Sequence, residues 1–340
     1  MNRIIARLAC IAALLAATAG AAAQTPPQNP PQAPAQTGEK GGAEALFAHL
    51  RPGDKAAVVA VHYGSSAQTA LATLDRFNLR LAAAFPGADF RQAWAAGIVI
   101  RKHNAQVDAL TEPATDEEDN EFCLRRHKVE GVERLLDELW RDGYTHVLIQ
   151  PSFVIEGVEM NVLRQQVAQV ESHFAEVRIG QPLLTSPQDY RNVLEALAKA
   201  VPAGRPVVLA AHGSGYDACN GAYALLDYIM HEDGKTYTRW YTATVSGFPT
   251  LAHALALARA DKVKKATIVP LLFACGVHAR EDLASAWVDT LRQNGISATL
   301  YNYALGDNDD ILDLYTAHAR QAEQRRIPTP MEMKQAYSGQ

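Results

Sequence analysis

Four short runs in this chain are apolar with no in/out alternation: AAVVAV (56–61), HVLIQP (146–151), PVVLAA (206–211) and ATIVPLLF (266–273). A strand with one wet face alternates, so strands of this kind must be covered on both sides, as they are in parallel sheets flanked by helices. The intervening stretches carry the helical period. Leu71, Leu74, Leu81 and Phe85 recur at helical spacing in one of them, and Val132, Leu135, Leu136 and Leu139 in another. Strands alternating with helices imply an α/β fold with right-handed crossovers.

The two halves echo each other. VVAVHYGSS (58–66) ends an apolar strand with His, Gly and Ser, and VVLAAHGSG (207–215) does the same. VLIQPSFVIEGVEM (147–160) likewise matches TIVPLLFACGVHARED (267–282): strand, proline, apolar residues, Gly-Val, then a polar residue. The expectation is therefore two duplicated Rossmann-like or flavodoxin-like lobes with parallel sheets, residues 43–187 and 188–322, followed by a tail at 323–340. Ligands of open parallel sheets sit outside the carboxyl ends of the strands, which places the site in the cleft between the lobes.

The first residues read as an export leader. Arg3 and Arg7 precede an apolar run from Leu8 to Gly20, and Ala21, Ala22 and Ala23 form a small-residue cleavage site. Residues 24–42, rich in Pro, Gln, Ala and Gly, cannot bury apolar area and are expected to be a disordered linker. A periplasmic protein cleaved near Ala23 follows, with no membrane span left in it. The formal charge of −5 and the lack of a basic stripe exclude nucleic acid as a partner. Cys123, Cys219 and Cys275 remain after processing, an odd set without a CxxC spacing, so no disulfide framework is expected. Asp108–Glu121, dense in acids, reads as a solvated loop inserted in the first lobe.

His212 follows five apolar residues and precedes Gly213, Ser214 and Gly215; His278 follows LLFACGV. Imidazoles at neighbouring strand exits can hold a divalent transition ion, and either can accept a proton at physiological pH. Gly64, Ser65, Gly213 and Ser214 could offer backbone N–H groups to substrate carboxylates, and Arg101, Lys102, Arg125 and Arg126 could supply cations. His103 is a candidate exposed histidine for haem at a subunit interface. GxGxxG, GxxxxGK[ST] and HExxH are absent, so no nucleotide is expected; a hydrolase using Ser214 with His212 lacks the nucleophile-elbow spacing.

In order along the chain, VVAVHYGSS, AAFPGADFRQAWAAGIVIRK, GYTHVLIQPSFVIEGVEM, PLLTSPQDY, AAHGSGYDACNGAYALLDYIM, TVSGFP, IVPLLFACGVHAREDLASAW and NYALGDNDDI resemble the anaerobic sirohydrochlorin cobaltochelatases, the single-subunit, ATP-independent chelatases. The resemblance runs from about Lys55 to His318 and implies a chelatase-like fold. It implies His212 as proton acceptor and metal ligand, His278 as a second ligand, and Glu159 as an acid on the facing lobe. At the third ligand position the family has an acid where this chain has Ser246, and a family histidine is Phe153 here. The implied activity is insertion of Co²⁺, with Fe²⁺ or Ni²⁺ as other ions, into sirohydrochlorin or a related tetrapyrrole. The alternative is an exported tetrapyrrole, haem or metal carrier that keeps the cleft and has lost turnover with the third ligand. The expected partner is the tetrapyrrole, with a homo-oligomer allowed.

Overall fold

All four apolar runs are strands, and each is buried on both faces. The computed structural model describes residues 45–48, 50–115, 118, 120, 122–232, 234–276, 282–328, 333–334 and 336–337. The leader (1–23) and linker (24–42) fall outside the described residues, as does His278. One sheet holds β1 (Ala56–His62), β2 (Asp89–Trp94), β3 (His146–Pro151) and β4 (Glu176–Ile179) in the order β2-β1-β3-β4. The other holds β5 (Val207–Gly213), β6 (Trp240–Ser246), β7 (Lys265–Leu271) and β8 (Ser297–Leu300) in the order β6-β5-β7-β8. Every pairing is parallel.

The missing alternation has a direct cause in the packing. Val58 and Ala60 of β1 join an inner core, while Ala57, Val59 and Val61 join a second core on the other face. In β5, Val207, Leu209 and Ala211 enter that same inner core, and Val208 and Ala210 enter a third. The inner core thus takes one face of both sheets, and polar residues at either set of positions would be left without water. Helix α1 (Gln68–Ala84) sends Leu71, Leu74 and Leu81 into it. Helix α3 (Val132–Arg141) covers the outside of the first sheet with Val132, Leu135, Leu136 and Leu139.

The duplication extends to register. Val61 of β1 pairs with Ala93 and Pro151, and Ala210 of β5 pairs with Ala243 and Pro270. Both prolines lie beyond the last pairings to the outer strands, Ile149↔Ile179 and Ile268↔Leu300, where no ladder needs the missing N–H.

The remaining crossover helices are α2 (Gly97–Asp108), α4 (Val158–Val170), α5 (Pro187–Ala200), α6 (Gly221–His231), α7 (Leu251–Ala260) and α8 (Val288–Gln293). The last helix, α9 (Asp309–Gln324), comes from the segment read as the second lobe, yet it packs on the first sheet. Tyr315 Oη donates to the carbonyls of Ser152 and Phe153, each at 3.1 Å. The buried Arg178 guanidinium donates to the carbonyls of Ala322 (3.2 Å) and Glu323 and thereby caps the helix end. No helix among the described residues is long and apolar enough to cross a membrane.

Candidate active site

β5 is a central strand of its sheet, so what leaves its carboxyl end stands between the exits of β6 and β7. His212 emerges there exposed, and its Nδ1 lies 2.9 Å from the Gly213 carbonyl. A carbonyl only accepts, so Nδ1 carries the proton and Nε2 keeps the lone pair a metal or a pyrrole proton needs. Gly213 turns the chain with φ +75°, and a Cβ there would lie 1.7 Å from the Ser246 carbonyl oxygen. Only glycine lets the two exits approach so closely. Ser246, paired with Gly213 in register, is exposed beside the histidine turn.

Two residues that the sequence reading passed over hold this turn. Asn220 is buried; its Oδ1 accepts from Ser214 N and its Nδ2 donates to Ser214 O, both at 2.8 Å. A Cβ on Gly247 would lie 2.2 Å from Asn220 Nδ2, so the same amide braces the exit of β6. Tyr223, on α6, hydrogen-bonds the Gly213 backbone; burial pushes its phenol far up, and the Glu159 carboxylate raises it further. Glu159 is exposed in the first turn of α4, at the exit of β3.

Several expected contributions are corrected by these contacts. The Ser214 N–H goes to Asn220, so it is not free for a substrate carboxylate, and Ser214 Oγ accepts from Tyr216 N at 3.1 Å rather than engaging His212. A serine hydrolase is thereby disfavoured. Arg126 is mostly buried and forks onto Glu118, with further bonds to the carbonyls of Glu112 (2.8 Å) and Pro113 (2.9 Å). Arg125 pairs with the same Glu118 at 2.5 Å, so both arginines stitch the acidic segment to its own flank. Asp108 pairs with Lys128 at 2.6 Å, and the described part of that segment is largely exposed, as a solvated loop should be, with ion pairs that tie it to its flank. Arg101 and Lys102 are exposed on α2. His103 is 1% exposed, donates from Nε2 to the His127 carbonyl and packs on Trp94, so it cannot present itself to haem on a surface. Phe153 is buried in the core of the first lobe. Cys219 and Cys275 are buried and Cys123 is half-buried.

The exits of β1 and β7 meet as well. A Cβ on Gly276 would lie 3.4 Å from Ser65 Oγ, which joins the first lobe's Gly64–Ser65 turn to the strand exit leading toward His278. Around these turns stand exposed apolar side chains from both lobes: Tyr63, Ile98 and Val158 in one, Tyr216, Val245 and Phe248 in the other.

Two parallel four-stranded sheets of matching order, with a histidine turn at a central strand exit of the second, make this a doubly wound α/β protein of two like halves. The structures of SirB from Bacillus subtilis with Fe³⁺ and, for the subspecies spizizenii protein, with cobalt superpose on this chain with TM-scores of 0.54 and 0.51. Each is 14% identical to it, and the match covers 79% of this chain and 96% of SirB. The profile of the cobalt chelatase (CbiK) family matches residues 56–324, and the chain belongs to that family of metal-chelatase enzymes. The sirohydrochlorin cobaltochelatase CbiKC of Nitratidesulfovibrio vulgaris is 27% identical over 283 residues, covering 79% of this chain and 91% of the relative. The sirohydrochlorin cobaltochelatase of Salmonella typhimurium is 28% identical over 278 residues, covering 79% and 96%.

Proposed function

We propose that this chain inserts Co²⁺ into sirohydrochlorin or a closely related carboxylate-rich tetrapyrrole, with Fe²⁺ and Ni²⁺ as further substrate ions, and does so in the periplasm without a nucleotide. The observation that carries the reading is His212 standing exposed at a central strand exit, its Nε2 free, beside Ser246 and opposite the lobe that bears Glu159. Metal insertion requires a loosely held ion and a base for two pyrrole protons. His212, with His278, meets the ion; His212 and Glu159 are the acceptors for the protons. The exposed apolar side chains at both sets of strand exits suit the flat faces of a macrocycle.

The serine at position 246 supports a second reading, a carrier. A hydroxyl is a weaker ligand for Co²⁺ than a carboxylate, so the ion is held more loosely and carries more net positive charge. The absorbance change on Co²⁺ insertion into sirohydrochlorin, followed with and without the leaderless protein, separates the two. Acceleration well above the spontaneous rate, with many turnovers per protein, supports the enzyme. Stoichiometric tetrapyrrole or metal binding at the spontaneous rate supports the carrier.

A further inference from the structure

The first lobe contains a copy of the turn that presents His212. Two residues beyond Val61 the chain reaches Tyr63, and two residues beyond its register counterpart Ala210 it reaches His212. Both are followed by a glycine in the left-handed region, Gly64 at φ +101° and Gly213 at φ +75°. The atoms that would clash with an added Cβ are also counterparts: Trp94 beneath Gly64 (2.5 Å) and Thr244 beneath Gly213 (2.7 Å). In their sheets Trp94 and Thr244 each lie one residue past the partner of Val61 or Ala210. By the same count that carries Pro270 to His278, Pro151 leads to Glu159. Tyr63 therefore occupies in the first lobe the place of His212 in the second.

Its surroundings suit a ligand contact. The preceding residue, His62, is fully buried, whereas Tyr63 is 54% exposed. Its backbone is fixed, because the Tyr63 carbonyl accepts from Ala96 N at 3.2 Å and the His62 carbonyl from Ala95 N at 2.7 Å. The ring thus projects from a rigid turn and costs little ordering entropy on binding. That turn approaches the second lobe through Ser65 and Gly276.

We propose that Tyr63 is a substrate-contacting residue of the first lobe. Its ring lies against the tetrapyrrole face, and its hydroxyl donates a hydrogen bond to a carboxylate at the edge of the macrocycle. This rests on the chelatase reading above. The phenol serves the organic substrate and not the ion, which sets it apart from His212.

Steady-state insertion is measured for wild type, Tyr63→Phe and Tyr63→Ala, varying sirohydrochlorin and Co²⁺ separately. The proposal expects KM for sirohydrochlorin to rise about threefold in Tyr63→Phe, for the lost hydrogen bond, and about tenfold in Tyr63→Ala, for the lost ring as well. KM for Co²⁺ and the melting temperature stay at wild-type values. An unchanged KM for sirohydrochlorin in both variants, or an equal rise for both substrates, overturns it. Were the wild type to show no turnover, the chelatase reading would fall, and equilibrium titration of sirohydrochlorin would test Tyr63 alone: weaker binding by Tyr63→Ala upholds the contact, and equal binding refutes it.

Discussion

His62 and Tyr63 are neighbours with opposite environments. The imidazole of His62 is enclosed: its Nδ1 lies 2.8 Å from Ser152 Oγ and its Nε2 2.9 Å from Asn78 Oδ1, while Asn78 Nδ2 donates to Gln92 Oε1. That last bond fixes the Asn78 amide, so Nε2 is the protonated nitrogen and the ring is neutral. Burial lowers its pKa to about 4. Between about pH 6.5 and about pH 4 the unfolded chain binds a proton at this site that the folded chain refuses. Stability therefore falls as the pH drops through that window, by on the order of 3 kcal/mol in all. Asp75 acts in the other direction. Burial raises its carboxyl to about 6 against the backbone hydrogen bond from Leu124, so below about pH 6 the folded chain takes up a proton that the unfolded one does not. The two effects oppose each other, and Asp75→Asn should steepen the loss of stability between pH 7 and pH 5. Urea unfolding at the two pH values checks this; a flatter profile in the variant would contradict it.

Asn220 is the other residue with a large predicted effect. Its amide makes two hydrogen bonds to Ser214 and braces Gly247, so Asn220→Ala frees both strand exits beside His212. The expected cost is about 1 to 3 kcal/mol of stability, with a fall in kcat larger than any change in KM, because the histidine loses its fixed position. Denaturation and steady-state kinetics on one preparation decide the matter; a wild-type kcat in a destabilised variant would limit Asn220 to the fold.

Among the elements, the central strands β1, β3, β5 and β7 were legible, whereas the flanking strands β2, β4, β6 and β8 and the final helix were not. A strand covered on both faces cannot alternate, so the four apolar runs announced themselves, and the helices with a clear apolar stripe did likewise. Helix α9 has such a stripe, but nothing local in its sequence says which sheet it covers; that is settled by the Arg178 and Tyr315 contacts to distant carbonyls. Tyr315→Phe should cost about 1 kcal/mol. Arg178→Ala should cost several times more, since it uncaps α9 and leaves the Glu176 carboxylate without its partner at 2.7 Å. Amide hydrogen exchange should show the loss concentrated in α9, whereas uniform loss of protection would argue against a local clamp. The acidic segment was legible as an exposed loop, but its ties to Arg125, Arg126 and Lys128 were not, because a run of like charge does not show which basic residues fold back on it.

At the scale of the whole molecule the repeat was visible as paired motifs, and the structure turns it into matching sheets with matching register. His212 and its turn were legible because a polar residue ending an apolar strand is conspicuous. Asn220 and Tyr223 were not, since an amide or a phenol inside a helical segment carries no signal of the backbone it holds. Replacing the serine at the proposed third ligand position, Ser246→Glu, should tighten Co²⁺ binding about tenfold by adding an anionic oxygen, measured by competition with a chelator; unchanged affinity would place the ion away from β6. The central claim is that His212 drives insertion, and the rate of Co²⁺ insertion into sirohydrochlorin by wild type and His212→Ala tests it most directly. The account predicts that the variant melts like wild type and falls to the spontaneous rate. A His212→Ala protein as fast as wild type would contradict it.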